Sequence, residues 1–333
     1  MELVQAGVVV LVVGSLLFLL ALVARRTWLA RRARKRQAAV QALRPAAIEL
    51  VEDVGDPPHL RGYEAEVFAE LLAGYSIAVR GTPRERIAAY FERTGAIEEQ
   101  LKLLRSRRHW KRAAAAFALG DMGSARAVPA LLEALDDKDA DVRGAASRSL
   151  GRLGSADAIE PLVTAGVERR VPRDVTMLAL LDLGPPAVPR LLELTEHPEP
   201  QVRTAAVELV GHLGEAGDAE ELPARLRDTA AEVRAATAGA LGRLGAAAAR
   251  DALIAALDDR VPSVRVASSR ALGQIGGRSA LDALLRVART DEFDPAAAAA
   301  ASAAAIDPAS VIRAAGEPGA GRHLHEAADL AAL

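Results

Sequence analysis

Val142-Arg143-Gly144-Ala145-Ala146-Ser147-Arg148-Ser149-Leu150-Gly151-Arg152-Leu153-Gly154 is the stretch on which the reading of this chain turns. Residues 202–214, 233–245 and 264–276 are copies of it. In each copy an Arg stands eleven residues before a Gly. The arginines are Arg112, Arg143, Arg173, Arg203, Arg234 and Arg265, at steps of 31, 30, 30, 31 and 31 residues; the glycines are Gly123, Gly154, Gly184, Gly214, Gly245 and Gly276. Self-similarity at a fixed period of this size is the mark of stacked repeats, which make extended surfaces rather than an enclosed catalytic pocket.

Within the best copy, Val142, Ala145, Ala146, Ser149, Leu150 and Leu153 recur at helical spacing and form one buried stripe. Gly154 follows the last apolar residue, where a left-handed C-cap is wanted. Ahead of this helix, Val128, Leu131, Leu132 and Leu135 follow the same pattern, and Pro129 sits in the first turn, where a missing N–H costs little. Each repeat is therefore a helix A, a short acidic turn and a helix B. A pair this small cannot bury its own apolar face, so neighbours must stack. Ala145-Ala146, Ala205-Ala206 and Ala235-Ala236 lie mid-helix on the buried side and let helix backbones come close. Aromatics are only 3% of the chain, so the core is thin and layered.

These features resemble the HEAT repeat, in the compact bacterial form also found in bilin lyases. The resemblance spans roughly residues 83–307 and rests on six in-phase Arg/Gly pairs together with an Asp placed ahead of a Val-Arg pair: Asp137 with Arg143, Asp228 with Arg234, Asp259 with Arg265. It implies a right-handed, all-α solenoid of about eight helix pairs, with these Asp and Arg side chains forming a ladder of hydrogen bonds between successive repeats. Arg offers the fixed fork of donors that such bonds use. Val167 and His197 stand where the Asp is expected ahead of Arg173 and Arg203, so the ladder is expected to fail there. Residues 67–79 and 83–94 read as a degenerate first pair, and Asp294-Pro295 as the N-cap and N1 of an Ala-rich capping helix ending near Ile306.

Residues 3–24 carry no charge and are dominated by Val and Leu. At about 1.5 Å per residue such a run is long enough for the hydrocarbon core. Arg25, Arg26, Arg31, Arg32, Arg34, Lys35 and Arg36 follow. The expectation is a single N-terminal transmembrane anchor (1–24) with its N-terminus outside and the repeats in the cytoplasm, by the positive-inside rule. The basic cluster would stop transfer and meet anionic lipid. A basic linker (25–66), the repeat stack (67–315) and a mobile Gly-, Pro- and Ala-rich tail (316–333), with a short helix near residues 324–333, complete the organisation.

The net charge of the chain is −2; removing the seven basic residues above leaves −9 for the rest. An acidic body is a poor nonspecific nucleic-acid binder. There is no cysteine, which excludes disulfides and thiol chemistry. Richness in Ala, Arg and Gly suits a GC-rich bacterial coding sequence. No phosphate-binding loop is present, and His323-Leu324-His325-Glu326, an i, i+2 pair, is not a one-face metal motif. Asp136, Asp137 and Asp139 read as turn and helix-cap residues. No catalytic set, metal or cofactor is expected.

Surface recognition remains. In the HEAT family the B helices line the concave side, so their positions outside the core form the candidate groove. Down the stack these are Phe117, Arg148 with Arg152, Leu178, Glu208 with His212, Arg243 and Arg270. The arginines suit an acidic protein partner. The leading expectation is a non-enzymatic, membrane-tethered adaptor whose partner is a membrane-associated protein. The alternatives are a bilin-lyase-like or chromophore-binding protein, by fold analogy, and a nucleic-acid-binding HEAT solenoid, which the acidic body disfavours.

Overall fold

The computed structural model describes residues 2–332 except Asp56, with side chains from Phe18 onward. Among them there is no strand. The helices are α1 (Glu2–Glu52), α2 (Tyr63–Ala78), α3 (Thr82–Arg93), α4 (Ala96–Leu104), α5 (His109–Met122), α6 (Val128–Ala134), α7 (Ala140–Leu153), α8 (Ile159–Val167), α9 (Arg173–Leu183), α10 (Val188–Leu194) and α11 (Pro200–Leu213). They continue with α12 (Ala231–Arg243), α13 (Arg250–Ala256), α14 (Pro262–Ile275), α15 (Arg278–Thr290), α16 (Phe293–Ile306), α17 (Pro308–Ala315) and α18 (Arg322–Ala331). Two compact units divide the chain, the first of residues 1–100 and 121–124, the second of 101–120 and 125–333.

In the first unit, α1 packs along α2 and α3. Its small core is aromatic. Phe68 and Phe91 are fully buried and both meet the Tyr90 ring edge-on, at 5.4 and 5.7 Å between centroids. Arg86 ties the end of α1 to α3 through the Val51 carbonyl at 2.9 Å and the Asp53 carboxylate at 3.0 Å. Among the described residues no single helix is long and apolar enough to cross a membrane. The expected anchor lies mostly outside the described side chains, since residues 3–17 are not among them. Where description begins, Phe18, Leu19, Leu20, Leu22 and Val23 are all exposed.

The second unit is built from the repeats. Helices A (α6, α8, α10, α13) are short and mostly entered through a 3₁₀ turn. Ahead of α12 the A element is itself a 3₁₀ run, Ala216–Arg227, interrupted by Pro223. Helices B are longer and pack on one another, α7 on α9, α11 on α12, α12 on α14, α14 on α16. Of the stripe read from the sequence, Val142, Ala145, Ala146, Ser149 and Leu150 are fully buried, while Leu153 at the end of α7 is half-buried. Gly154 closes α7 at φ 74°, ψ 21°, a left-handed cap that Gly adopts without a Cβ clash. Gly214 departs from the pattern: it ends α11 at φ −79°, ψ 169°, because Asp218 turns back to accept the Glu215 N–H and starts the 3₁₀ run at once.

Two boundaries need correction. The Ala-rich helix begins at Phe293, two residues before the expected Pro295, with Glu292 as N-cap. It is also not the end of the stack. The short helix expected near residues 324–333 of a mobile tail is α18, and it is packed: it lays fully buried Leu324 and largely buried Ala327 and Ala328 against its neighbours, chiefly α17 and α16. Spacing explains it: Leu324, Ala327 and Ala328 lie at i, i+3, i+4, an apolar face that the Gly- and Pro-rich lead-in disguised.

Candidate functional site

The repeats are held in register by a ladder of arginines. Arg112 gives Nε and Nη2 to the two carboxylate oxygens of Asp137, both at 2.7 Å, and Nη1 to the Ser106 carbonyl at 2.9 Å. Arg203 does the same with Asp228 (2.8 and 2.7 Å) and the His197 carbonyl (2.8 Å). Arg234 binds Asp259 at 2.7 and 2.8 Å, and Arg265 binds Asp291 at 2.6 and 2.7 Å. In each rung the carboxylate also accepts a backbone N–H one or two residues on, which fixes the turn into the next B helix. These are bidentate, charge-assisted bonds with both partners largely shielded. Hydrogen bonding from Arg112, Arg234 and Arg265 holds Asp137, Asp259 and Asp291 below the usual carboxylate range, against the opposing effect of burial. At Asp228 burial is the largest influence and pushes upward, yet the bonds from Arg203 and the Ala230 N–H leave it lowered.

Each rung joins an Arg to the Asp of the following repeat, 25 or 26 residues on. The place where the ladder fails is therefore one repeat earlier than expected. Arg203 is fully paired, although His197 stands in its own repeat; His197 accepts the Glu199 N–H at Nδ1 (3.1 Å), replacing the aspartate as turn acceptor. The arginines without a rung carboxylate are Arg143 and Arg173. Arg143 reaches the Asp137 carbonyl at 2.9 Å and the Arg170 carbonyl at 2.5 Å, both backbone acceptors. Arg173 turns out to Glu208 at 2.6 Å. Asp291 is a rung residue the sequence reading did not single out; its 26-residue distance from Arg265 was the available signal.

A second missed feature sits on the B helices. Eight residues after the Arg, Gly120, Gly151, Gly211, Gly242 and Gly273 occupy equivalent places. A Cβ on Gly151 would lie 2.3–2.8 Å from the Ala179 backbone, and one on Gly211 or Gly242 would lie 2.8 Å from the Cα of Ala240 or Ala271. Glycine is what lets consecutive B helices touch. In α9 this place holds Leu181, which is partly exposed. A side chain there excludes the close approach, and α11 makes few contacts with α9, packing on α10 and α12 instead.

The groove positions lie as follows. Phe117 is 36% exposed and stacks under two guanidiniums, with Arg148 Cζ 5.0 Å and Arg152 Cζ 5.6 Å from the ring centroid. Leu178 is 59% exposed. Glu208 is occupied by Arg173, and Arg243 gives Nε to the Gly211 carbonyl at 3.2 Å. His212 and Arg270 are exposed. Phe117, Arg148 and Arg152 are thus brought into one cluster, while Glu208 and Arg243 serve packing between repeats.

At the N-terminal basic segment, Arg36 pairs with Glu70 at 2.7 Å and the Lys35 ammonium lies 4.7 Å over the Tyr63 ring, so these two face α2 rather than solvent lipid. Arg32 stacks on Trp28 at 5.4 Å. Arg25, Arg26, Arg31 and Arg34 are exposed. In the acidic turn, Asp137 is a rung and Asp139 caps α7 by accepting the Asp141 N–H at 3.0 Å. In α18, His323 stands edge-on to Phe293 and 3.3 Å from Glu326.

No curated protein is significantly similar to this chain. Among solved structures, human deoxyhypusine hydroxylase in complex with glycerol is 22% identical over 81% of this chain and 98% of its own, with a TM-score of 0.34. The complex of CpcE and CpcF of phycocyanin lyase from Nostoc sp. is 21% identical over 78% and 94%, at 0.30. An engineered protein is 21% identical over 89% and 90%, at 0.39. Likenesses this distant carry no argument about what the chain binds. Sequence models are more decisive. A model of HEAT repeats matches residues 97–180 and 219–305, more than half of the chain, and a single HEAT-repeat model fills the interval at 187–216. With matches on both sides of the gap and within it, this chain belongs to the HEAT-repeat family.

Proposed function

We propose that the chain is a non-enzymatic scaffold, tethered to a membrane by the apolar run at residues 3–24 and holding an acidic protein partner on the exposed face of its B helices. The observation that carries the partner site is the Phe117 cluster. A large aromatic ring is about a third open to solvent, and two arginines from the next B helix stand over it. Arg148 has no ion pair among the described residues. An aromatic ring flanked by Arg is the composition of a binding hot spot, and the guanidiniums suit carboxylates on the partner.

Tethering is supported by the exposed Phe18, Leu19, Leu20, Leu22 and Val23, followed directly by Arg25 and Arg26. A contiguous exposed apolar surface of this kind marks a membrane or a protein contact. By the positive-inside rule the repeats lie in the cytoplasm. A tether raises the local concentration of membrane-associated partners without adding a contact.

The test is photo-crosslinking in native membranes from a probe at position 148, with a probe at position 138 as control. One protein captured from 148 and absent from 138 is expected, and Arg152→Glu should reduce its yield at least tenfold without changing helicity. Equal capture at both positions, or none, removes the cluster as the binding site.

A further inference from the structure

A second site lies where the repeat pattern is broken, and it does not depend on the scaffold reading. Between α8, α9 and α11 a cleft of about 440 Å³ opens into the second unit. That size lies within the range of pockets that take small organic ligands. Two substitutions produce it. Leu181 replaces the glycine that elsewhere seats one B helix on the next. The shielded, bidentate rung from Arg173 is also missing, and a single, largely exposed bond to Glu208 of α11 stands in its place. Pro172 truncates α9 as well, leaving it 11 residues long where α7 and α11 have 14.

The walls are mainly apolar, from Val163, Val167, Met177, Leu180 and Leu209. The charged groups are Arg169, Arg173 and Glu232. Arg173 is engaged by Glu208, whereas Arg169 has no ion pair among the described residues. Its backbone is unusual. Arg169 sits at φ 58°, with Asp53 one of two non-glycine residues in the left-handed region among the described residues, where it terminates α8. The Arg169 N–H reaches the Gly166 carbonyl at 3.3 Å and the Val171 N–H reaches the Ala165 carbonyl at 3.2 Å, the C-terminal turn that ordinarily selects glycine. Placing Arg there costs about 1–2 kcal/mol of backbone strain. Held non-glycine residues of this kind cluster at ligand sites, where the side chain earns its unfavourable backbone.

We propose that this cleft binds an amphipathic monoanion, an apolar chain seated between Met177, Leu180 and Leu209 with its carboxylate on the Arg169 guanidinium. Arg169 points to the class: with Arg173 matched by Glu208, it is the lining guanidinium that has no ion pair among the described residues, and Glu232 is the acid in the lining. The first turn of α11 also lines the cleft and carries neither a side-chain cap nor an acidic residue, so its N–H groups add positive potential. The ligand would supply the clamp that the missing rung does not.

The experiment is calorimetric titration of the full chain in mild detergent with sodium decanoate, 1-decanol and decyltrimethylammonium as probes, each below its micelle threshold. Saturable binding of decanoate is expected, with decanol and the ammonium at least tenfold weaker. Arg169→Gln should weaken decanoate about tenfold, the loss of one charged hydrogen bond. Because Arg169 is exposed, that variant should keep its unfolding midpoint. Met177→Trp and Ala205→Leu each fill the cleft and should abolish binding; two fillers guard against one failing to fold, which far-UV circular dichroism reports. Equal affinity for decanoate and decanol, unchanged affinity in Arg169→Gln, or no saturable binding by any probe overturns the proposal.

Discussion

The rung between Arg234 and Asp259 gives the sharpest test of how the stack is held. Both side chains are nearly removed from solvent, 7% and 13% exposed, and two bonds of 2.7 and 2.8 Å join them. Replacing Asp259 by Asn keeps the shape and the oxygen that accepts the Val261 N–H at 2.8 Å. It removes the charge and sets an amide NH2 where Oδ2 accepted the Arg234 Nε–H. The guanidinium keeps the Asp228 and Thr229 carbonyls at 2.9 and 3.3 Å but faces a neutral amide. Breaking one side of a shielded pair costs about 3–5 kcal/mol, because an uncompensated charge stays behind. Asn retains a partial acceptor, so the lower end, about 3 kcal/mol, is expected. The control is Arg173→Met. Arg173 makes one bond to Glu208 and is 68% exposed, so its loss should stay within about 0.5 kcal/mol. Urea unfolding followed at 222 nm gives both numbers. Amide exchange should place the damage in α12, α13 and α14 and leave α7 protected, since a stack is stabilised by nearest-neighbour interfaces. The double variant Arg234→Met, Asp259→Asn should lose at least about 2 kcal/mol less than the sum of the singles. If Asp259→Asn costs no more than Arg173→Met, the rungs are not what holds the repeats and the reasoning fails.

Acid should dissolve the ladder in a defined window. Asp137, Asp228, Asp259 and Asp291 titrate lower in the folded chain than unfolded, so their stabilisation is complete above the unfolded value, about pH 4, and is lost as pH falls through the folded values. Urea midpoints should be level through neutral pH and fall below about pH 4, less steeply in Asp259→Asn; a midpoint that falls between pH 8 and 6 contradicts this. Glycine contacts give a second check. Gly242→Ala drives a Cβ to within 2.8 Å of the Ala271 Cα and should cost about 1–2 kcal/mol, overpacking outweighing the better helix propensity. Gly144→Ala meets only the tip of Arg148 at 3.9 Å and should stabilise by about 0.5–1 kcal/mol in the same urea assay.

The period, the two-helix repeat and the buried stripe of α7 were legible because each rests on local spacing. So was the family. The pairing rule was not. A ladder between successive repeats was expected, but not which Asp serves which Arg: the carboxylate of Asp137 belongs to Arg112, 25 residues earlier. That shift moved the ladder gap from Arg203 to Arg143. The C-terminal helix was legible, but its packing was not: the Gly- and Pro-rich composition around it suggested mobility, whereas Leu324, Ala327 and Ala328 are buried. Of the groove positions, exposure was readable from helical phase, but Glu208 and Arg243 are taken by neighbouring repeats, and one-dimensional phase does not report contacts across a stack.

Rung and glycine act on the same interface from two levels. The arginine fixes the first turn of a B helix to the next repeat; the glycine, eight residues and about 12 Å further along, lets the backbones meet. At the junction of α11 with α12, and of α12 with α14, both devices are present, and the helices pack closely. At α9 with α11 both are missing: Arg173 has no rung and Leu181 has replaced the glycine. Loss of one alone would leave the other to hold the angle between helices. Loss of both at one junction leaves the exposed Arg173–Glu208 bond in place of the shielded rung and the close backbone contact, and the cleft opens between the helices. Drift spread over six repeats has no reason to strike both devices at a single interface, whereas a site that needs space between two helices requires it. Placement of a strained Arg169 at that opening follows the same logic, because the guanidinium is useful only where the helices part.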